Sequence, residues 1–259
     1  MNRIRIRLED KRKLLVPFFT AGYPTFKQSL DLIRAAADAG SDIIEIGMPF
    51  SDPLADGPSI QHSSFTALKH GTNLKQILEG VAALRRHIDT PLVLMGYYNP
   101  VLVYGPDRFL ADAAAAGADG LIIPDLTVEE ADGYRKALLQ HDLSGIFLVS
   151  PTSDKKRAKL IDKTSTDLVY AVTVTGVTGA GKVFGSDTDT YLKWLKSVLN
   201  KPFVAGFGVS SADTARRMTR HADGVVIGSA LVEIIRSAKS DRDALKQVTR
   251  FLRDVRKVL

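Results

Sequence analysis

Short runs rich in Val, Ile and Leu recur along the chain, each followed by a stretch with helical periodicity. The runs are Leu14–Phe19, Asp42–Ile46, Pro91–Met95, Gly120–Ile123, Gly145–Val149, Asp167–Val172, Phe203–Ala205 and Gly224–Ile227. Strands this uniformly apolar must be covered on both faces, and a parallel sheet flanked by helices does this. Helices are predicted between them: Phe26–Ala39, Asn73–His87, Asp107–Ala116, Val128–His141, Asp154–Lys163, Thr190–Leu199 and Ala212–Arg220. A short amphipathic helix opens the chain, and a short extra helix, Ala230–Arg236, precedes a terminal one, Asp241–Lys257. Eight βα repeats in 259 residues predict an α/β fold, one (β/α)8 TIM barrel spanning residues 1–259. An open, doubly wound sheet is the alternative that the same alternation permits.

Bulk chemistry narrows the function classes. Hydrophobic residues at 45% and charged residues at 25% are ordinary for a soluble globular chain with a full core. The absence of cysteine excludes disulfides and thiolate metal sites and fits a reducing compartment. A formal charge of +6 permits an anionic ligand. The densest basic clusters, Arg3–Arg12 and Lys155–Lys159, read as solvated helix faces, so no nucleic-acid partner is expected. The opening MNRIRIRLEDKRKLL turns acidic before any long apolar stretch, unlike a secretory signal. No apolar run approaches the roughly 20 residues needed to cross a bilayer. The expectation is a cytoplasmic protein with no membrane partner. The five histidines lack metal-ligand spacing, and no metal is expected.

Three segments share a form in which small residues end a helix and Asp opens a strand: Ala39–Asp42, Ala116–Asp119 and Ala222–Asp223. They fall at the N-terminal face of the barrel, where such residues serve stability. The C-terminal strand ends are where barrel chemistry resides. After the second strand stands Glu45, and strand alternation puts it on the same face as Ile43, opposite Ile44 and Ile46. The following loop turns through Gly47, Pro49 and Pro53 and delivers Asp56. A lone carboxylate among isoleucines is costly unless it is paired, protonated or used. Two acids so placed suit general acid/base work; a backbone-bonded Glu and an ordinary turn Asp fit the local pattern as well.

Four glycines lie between Gly176 and Gly185, after the sixth strand, a composition suited either to a loop closing over a ligand or to a plain connection. Gly206–Phe207–Gly208 follows the seventh strand, and Gly228–Ser229 opens the short helix after the eighth. Glycine turns beside a helix N-terminus make a phosphate cradle. Phe18, Tyr97 and Tyr170 stand at strand ends, where they would flank a flat ring or simply pack the core.

The run Ile44-Glu45-Ile46-Gly47-Met48-Pro49-Phe50-Ser51-Asp52-Pro53-Leu54-Ala55-Asp56-Gly57 resembles the signature of the tryptophan synthase α subunit family. Pro17-Phe18, Tyr97-Tyr98-Asn99-Pro100, Gly176-Val177-Thr178-Gly179, Gly206-Phe207-Gly208 and Gly228-Ser229 follow in family order, so the resemblance covers nearly the whole chain. It implies a lyase that splits indole-3-glycerol phosphate into indole and glyceraldehyde 3-phosphate by a cofactor-independent retro-aldol reaction. By this resemblance Glu45 would protonate indole C3 and take the glycerol hydroxyl proton, while Asp56 would accept the indole N–H. Phosphate would rest on Gly179, Gly208, Gly228 and Ser229. Phe18, Ile60, Tyr97 and Tyr170 would surround the indole, and Thr178 would close against Asp56. The family works in an αββα complex with a β subunit that alone carries pyridoxal phosphate. Pro49, Asp52 and Pro53 would face that partner. Thr66 and Val174 depart from the Arg that many relatives carry. Another phosphosugar reaction on the same barrel, and a non-catalytic activator, are the competing readings; retention of both acids opposes the second.

Overall fold

The computed structural model describes residues 2–173, 186–206 and 208–259. Its strands are β1 (Leu14–Thr20), β2 (Ile44–Gly47), β3 (Leu92–Met95), β4 (Gly120–Ile122), β5 (Ser144–Gly145), β6 (Phe147–Val149), β7 (Val169–Val172), β8 (Phe203–Gly206) and β9 (Gly224–Ile227). All neighbouring strands pair in parallel, in the order β5-β4-β3-β2-β1-β9-β8-β7-β6. The two ends of that order, β5 and β6, are separated in sequence by Ile146 alone, so the sheet rolls up and meets itself there. The barrel stands, and the open sheet does not.

The predicted fifth strand, Gly145–Val149, is therefore two short strands, one on each neighbour. The break has its cause outside the strand. The Gly145 amide donates to Thr166 Oγ1 at 3.1 Å and the Phe147 amide to Ser165 Oγ at 3.3 Å, so side-chain hydroxyls accept where ladder carbonyls otherwise would.

Helices wrap the barrel: α1 (Arg3–Glu9), α2 (Phe26–Asp38), α3 (Pro58–Lys69), α4 (Leu74–Arg85), α5 (Tyr98–Tyr104), α6 (Pro106–Ala116), α7 (Asp132–Gln140), α8 (Lys155–Thr164), α9 (Ser186–Val198), α10 (Ala212–Met218), α11 (Ser229–Ser237) and α12 (Asp241–Arg256). Helix α7 starts four residues later than expected from Val128. Helices α3 and α5 were not expected. Both open in ways compatible with proline: Pro58 follows the N-cap Gly57, and Pro100 lies in the first turn of α5, where no intrahelical N–H is lost.

The N-terminal face is closed by ion pairs. Asp42, Asp119 and Asp223 each accept an amide at the start of an adjacent strand: Leu15, second in β1, at 2.7 Å, Leu92, first in β3, at 2.8 Å, and Phe203, first in β8, at 3.1 Å. Asp42 is fully buried and also receives Arg7, Arg12 and Arg256 at 2.8, 2.7 and 2.6 Å. Arg3 and Arg85 meet Asp119, and Arg5 bridges Asp142 and Asp167. The basic cluster Arg3–Arg12 is thus not a solvated face, as its spacing suggested. Arg3, Arg5 and Arg7 tie α1 across the barrel floor and Arg12, just past the helix, joins them at Asp42, with Ile4 buried beneath.

Candidate active site

The mouth opposite this floor holds the two acids. Glu45 lies on β2 in register with Phe18 of β1 and Val93 of β3. Its side chain is buried, 2% exposed, and Oε2 has no hydrogen-bond partner among the described residues. With nothing to compensate the loss of water, burial raises the carboxyl pKa to about 8. Burial thus favours the protonated form of Glu45, and the partnerless Oε2 speaks against a carboxylate held by backbone bonds on both oxygens.

Asp56 stands on the loop between β2 and α3. The Tyr97 hydroxyl donates to its Oδ2 at 3.1 Å and accepts the Ala55 amide at 2.9 Å. The Gln61 side-chain amide donates to the Asp56 carbonyl at 2.8 Å. Burial raises the Asp56 pKa to about 6, opposed by the Tyr97 hydrogen bond. Burial thus favours the protonated form more strongly at Glu45 than at Asp56, where Tyr97 opposes it, and two acids separated in this way suit proton transfer.

Tyr170, on β7, shares this space. Burial first, then the charges of Glu45 and Asp56, hold its hydroxyl proton well above the ordinary range. Its ring lies over Gly206, where an added Cβ would sit 2.1 Å from Oη; only glycine admits it. Phe18 crosses from β1 toward both neighbours. A Cβ on Gly47 would come within 2.3 Å of its ring, and one on Gly228 within 3.5 Å of Phe18 and 3.7 Å of Ile60. Phe18, Ile60 and Gly228 are therefore one cluster, while Tyr97 and Tyr170 flank the acids.

The elements expected to bind an anion stand beside them. Gly208 has a left-handed backbone, φ +88°, and no described residue comes within 4 Å of where its Cβ would sit. Helix α11 begins at Ser229 with Gly228 as N-cap and no side-chain cap; the Leu231 amide turns back to the Gly228 carbonyl at 2.9 Å, so the Ser229 and Ala230 amides are the donors that lead the helix. Thr178 and Gly179 lie outside the described residues. Of the residues expected to face a partner, Asp52 is exposed and accepts from the Ser51 hydroxyl at 2.5 Å, and Pro53 is half-buried. Pro49 is buried, so it shapes the loop from within.

Sequence reasoning missed an apolar rim. Leu54 is 88% exposed on the Asp56 loop, and Leu102 and Val103 are 54% and 81% exposed on α5. The loop binds the N-cap of that helix through Ala55 and Tyr97. Recognising α5 as a helix would have exposed the signal, because of Val101, Leu102 and Val103 only Val101 turns inward. Among the described residues no group of three or more His, Cys, Asp or Glu is placed to hold a metal ion. No helix among them is long and apolar enough to cross a membrane.

Comparison with known proteins places this geometry. Residues 5–259 match the family model described as tryptophan synthase alpha chain. The tryptophan synthase alpha chain of Geobacter sulfurreducens is 45% identical over 225 residues, covering 87% of this chain and 85% of the relative. The crystal structure of tryptophan synthase subunit alpha from Legionella pneumophila superposes with a TM-score of 0.91 at 35% identity, covering 100% of this chain and 98% of that one. A chain of the tryptophan synthase α2β2 complex of Pyrococcus furiosus gives a TM-score of 0.86 at 34% identity, covering 95% of this chain and 98% of that one.

Proposed function

Because this chain belongs to the tryptophan synthase alpha chain family, we propose that it cleaves indole-3-glycerol phosphate to indole and D-glyceraldehyde 3-phosphate, as the α subunit of tryptophan synthase in tryptophan biosynthesis. The observation that carries the mechanism is the placement of two acids at one barrel mouth: Glu45, buried on β2 with Oε2 unpartnered among the described residues, and Asp56, held on its loop by the Tyr97 hydroxyl.

Breaking the C–C bond directly would leave a carbanion on the indole ring. Glu45 avoids this by giving its proton to C3 first, which turns the ring into an iminium with positive charge at N1. The Asp56 carboxylate accepts the N1–H and stabilises that charge. Glu45, now ionised, takes the proton of the glycerol hydroxyl adjacent to the scissile bond. The oxygen lone pair becomes the aldehyde, the C–C pair returns to the ring, and indole leaves. Glu45 ends protonated, as it began. Every proton moves through a side-chain acid, so we assign the chain no cofactor or metal of its own.

Phe18, Ile60, Tyr97 and Tyr170 are assigned to the indole. Gly179, Gly208, Gly228 and Ser229 are assigned to the phosphate, and Thr178 to closure against Asp56. A β subunit is the proposed partner, with pyridoxal phosphate on that subunit and the α chain seated through Asp52, Pro53 and the loop that Pro49 shapes. The exposed Leu54, Leu102 and Val103 support this, since apolar side chains at one rim favour a protein surface over water. The family's α2β2 complex from Pyrococcus furiosus supports it independently. The reading places the protein in the cytosol.

The test is incubation with indole-3-glycerol phosphate, following indole release with and without a β subunit. Slow release alone and faster release with the partner is the expected result. Glu45→Gln should lower release by at least about 10²-fold while leaving glycerol 3-phosphate binding intact; a Gln variant that turns over at near the wild-type rate removes Glu45 from the mechanism.

A further inference from the structure

The two halves of the mouth, the acid-bearing loop and the phosphate-facing helix, are joined by one contact that the mechanism above does not use. Ser59 Oγ, in the first turn of α3 and three residues past Asp56, donates to Glu233 Oε1 of α11 at 2.8 Å. Glu233 lies one turn beyond Ser229 on that helix, and its other oxygen faces Arg236 Nε at 3.4 Å. One residue further along α3, Ile60 comes up against Gly228, the N-cap of α11. The Asp56 backbone itself is tied to α3 through Gln61.

These contacts form a chain of short links from α11 to Asp56: helix to Glu233, Glu233 to Ser59, Ser59 through the first turn of α3 to the acid. We propose that Ser59 and Glu233 are positioning residues, a strut that sets the placement of Asp56 relative to the anion-binding N-terminus of α11. The proposal rests on the lyase reading, because only a substrate spanning both elements makes their spacing matter. Neither residue touches the reacting atoms. A carboxylate accepting a hydroxyl hydrogen bond holds its partner more firmly than a neutral pair, and small displacements of an aligned group reduce turnover more than binding.

The test compares wild type with Ser59→Ala, Glu233→Ala, Glu233→Gln, Ser59→Thr and the Ser59→Ala/Glu233→Ala double variant. The full chain is used, with indole release and calorimetric binding of glycerol 3-phosphate as readouts. Each Ala variant should lose about fivefold in kcat, the loss expected of one partly exposed hydrogen bond, with the Kd for glycerol 3-phosphate moving less than about twofold. The double variant should be no slower than the slower single, because both remove one contact. Gln and Thr, which keep an acceptor and a donor, should recover kcat to within about twofold of wild type. Ala variants with unchanged kcat, losses that multiply in the double variant, or Gln and Thr variants as slow as Ala would each overturn the strut. Should Glu233→Ala fail to fold, the Ser59→Ala and Ser59→Thr pair decides alone. A wild-type chain that releases no indole overturns the lyase reading and the strut together; a wild type that turns over beside unaffected variants overturns the strut alone.

Discussion

Asp42 and Glu45 are three residues apart, both buried, and opposite in every other respect. At the barrel floor, Asp42 is met by three arginines and a backbone amide. At the mouth, Glu45 has an oxygen with no partner among the described residues, and its proton stays on to about pH 8. One short stretch of chain thus carries one carboxylate whose charge is compensated and one whose charge burial disfavours. A compensated acid holds elements together; an uncompensated one stores a proton where substrate can reach it. The contrast separates structure from chemistry more sharply than burial does, since burial is nearly equal at the two sites.

The comparison breaks first at Glu45. Removing the acid should lower turnover by about 10²–10⁴-fold, the range for a lost general acid, with the fold intact in far-ultraviolet circular dichroism. Asp42→Ala should do the reverse. Three guanidiniums left facing a buried void would destabilise the chain by about 3–5 kcal/mol, read as a lower denaturant midpoint, while the fraction that folds keeps its kcat. If Asp42→Ala proves inert in unfolding and harmful in turnover, the division between floor and mouth is wrong.

Stability against pH sharpens the same contrast. Glu45 has a folded pKa raised from 4.5 to about 8, so between those values the folded chain binds more protons than the unfolded one. Stability from this group is therefore full below about pH 4.5, falls as pH rises through the window, and levels off above about pH 8. At about 1.4 kcal/mol per unit the loss has an upper bound of roughly 4–5 kcal/mol. Glu45→Gln should remove that slope, so its denaturant midpoint exceeds that of wild type at pH 8 and nearly matches it at pH 5. Equal slopes for the two chains would mean that Glu45 is ionised and compensated after all.

Most of the floor and much of the mouth were legible before any coordinates. The repeated small-residue–Asp segments marked the strand starts, and all three Asp side chains accept neighbouring strand amides there. Alternation along Ile43–Ile46 pointed Glu45 away from Ile44, and its burial without a partner at Oε2 follows. What stayed hidden depends on contacts between residues far apart in sequence. The pairing of Arg7 and Arg12 with Asp42 turns an apparent solvated face into a clamp, and nothing local announces it. The split at Ile146 depends on hydroxyls at Ser165 and Thr166, beyond the reach of any strand pattern. Helix α5 is only seven residues long, too short for an apolar period to stand out, and Pro100 in its first turn breaks nothing. With α5 went the apolar rim.

The smallest effect tests how Asp56 is kept ionised beside its protonated neighbour. For the free enzyme, kcat/KM should form a bell, rising through the Asp56 pKa of about 6 and falling through the Glu45 pKa of about 8. Tyr97 contributes to the lower limb, because its hydroxyl donates to Asp56 and favours the carboxylate against burial. Tyr97→Phe removes that donor and also deprives the Ala55 amide of its acceptor. The lower limb should then move upward while the upper limb stays, narrowing the bell from one side. At pH 6 the loss in kcat/KM should be about three- to tenfold, the worth of one hydrogen bond to a charged group, shrinking toward the top of the bell. A uniform loss across the whole profile would mean that Tyr97 acts through packing against Phe50, whose ring lies 5.3 Å away, and that Asp56 owes its charge to something else.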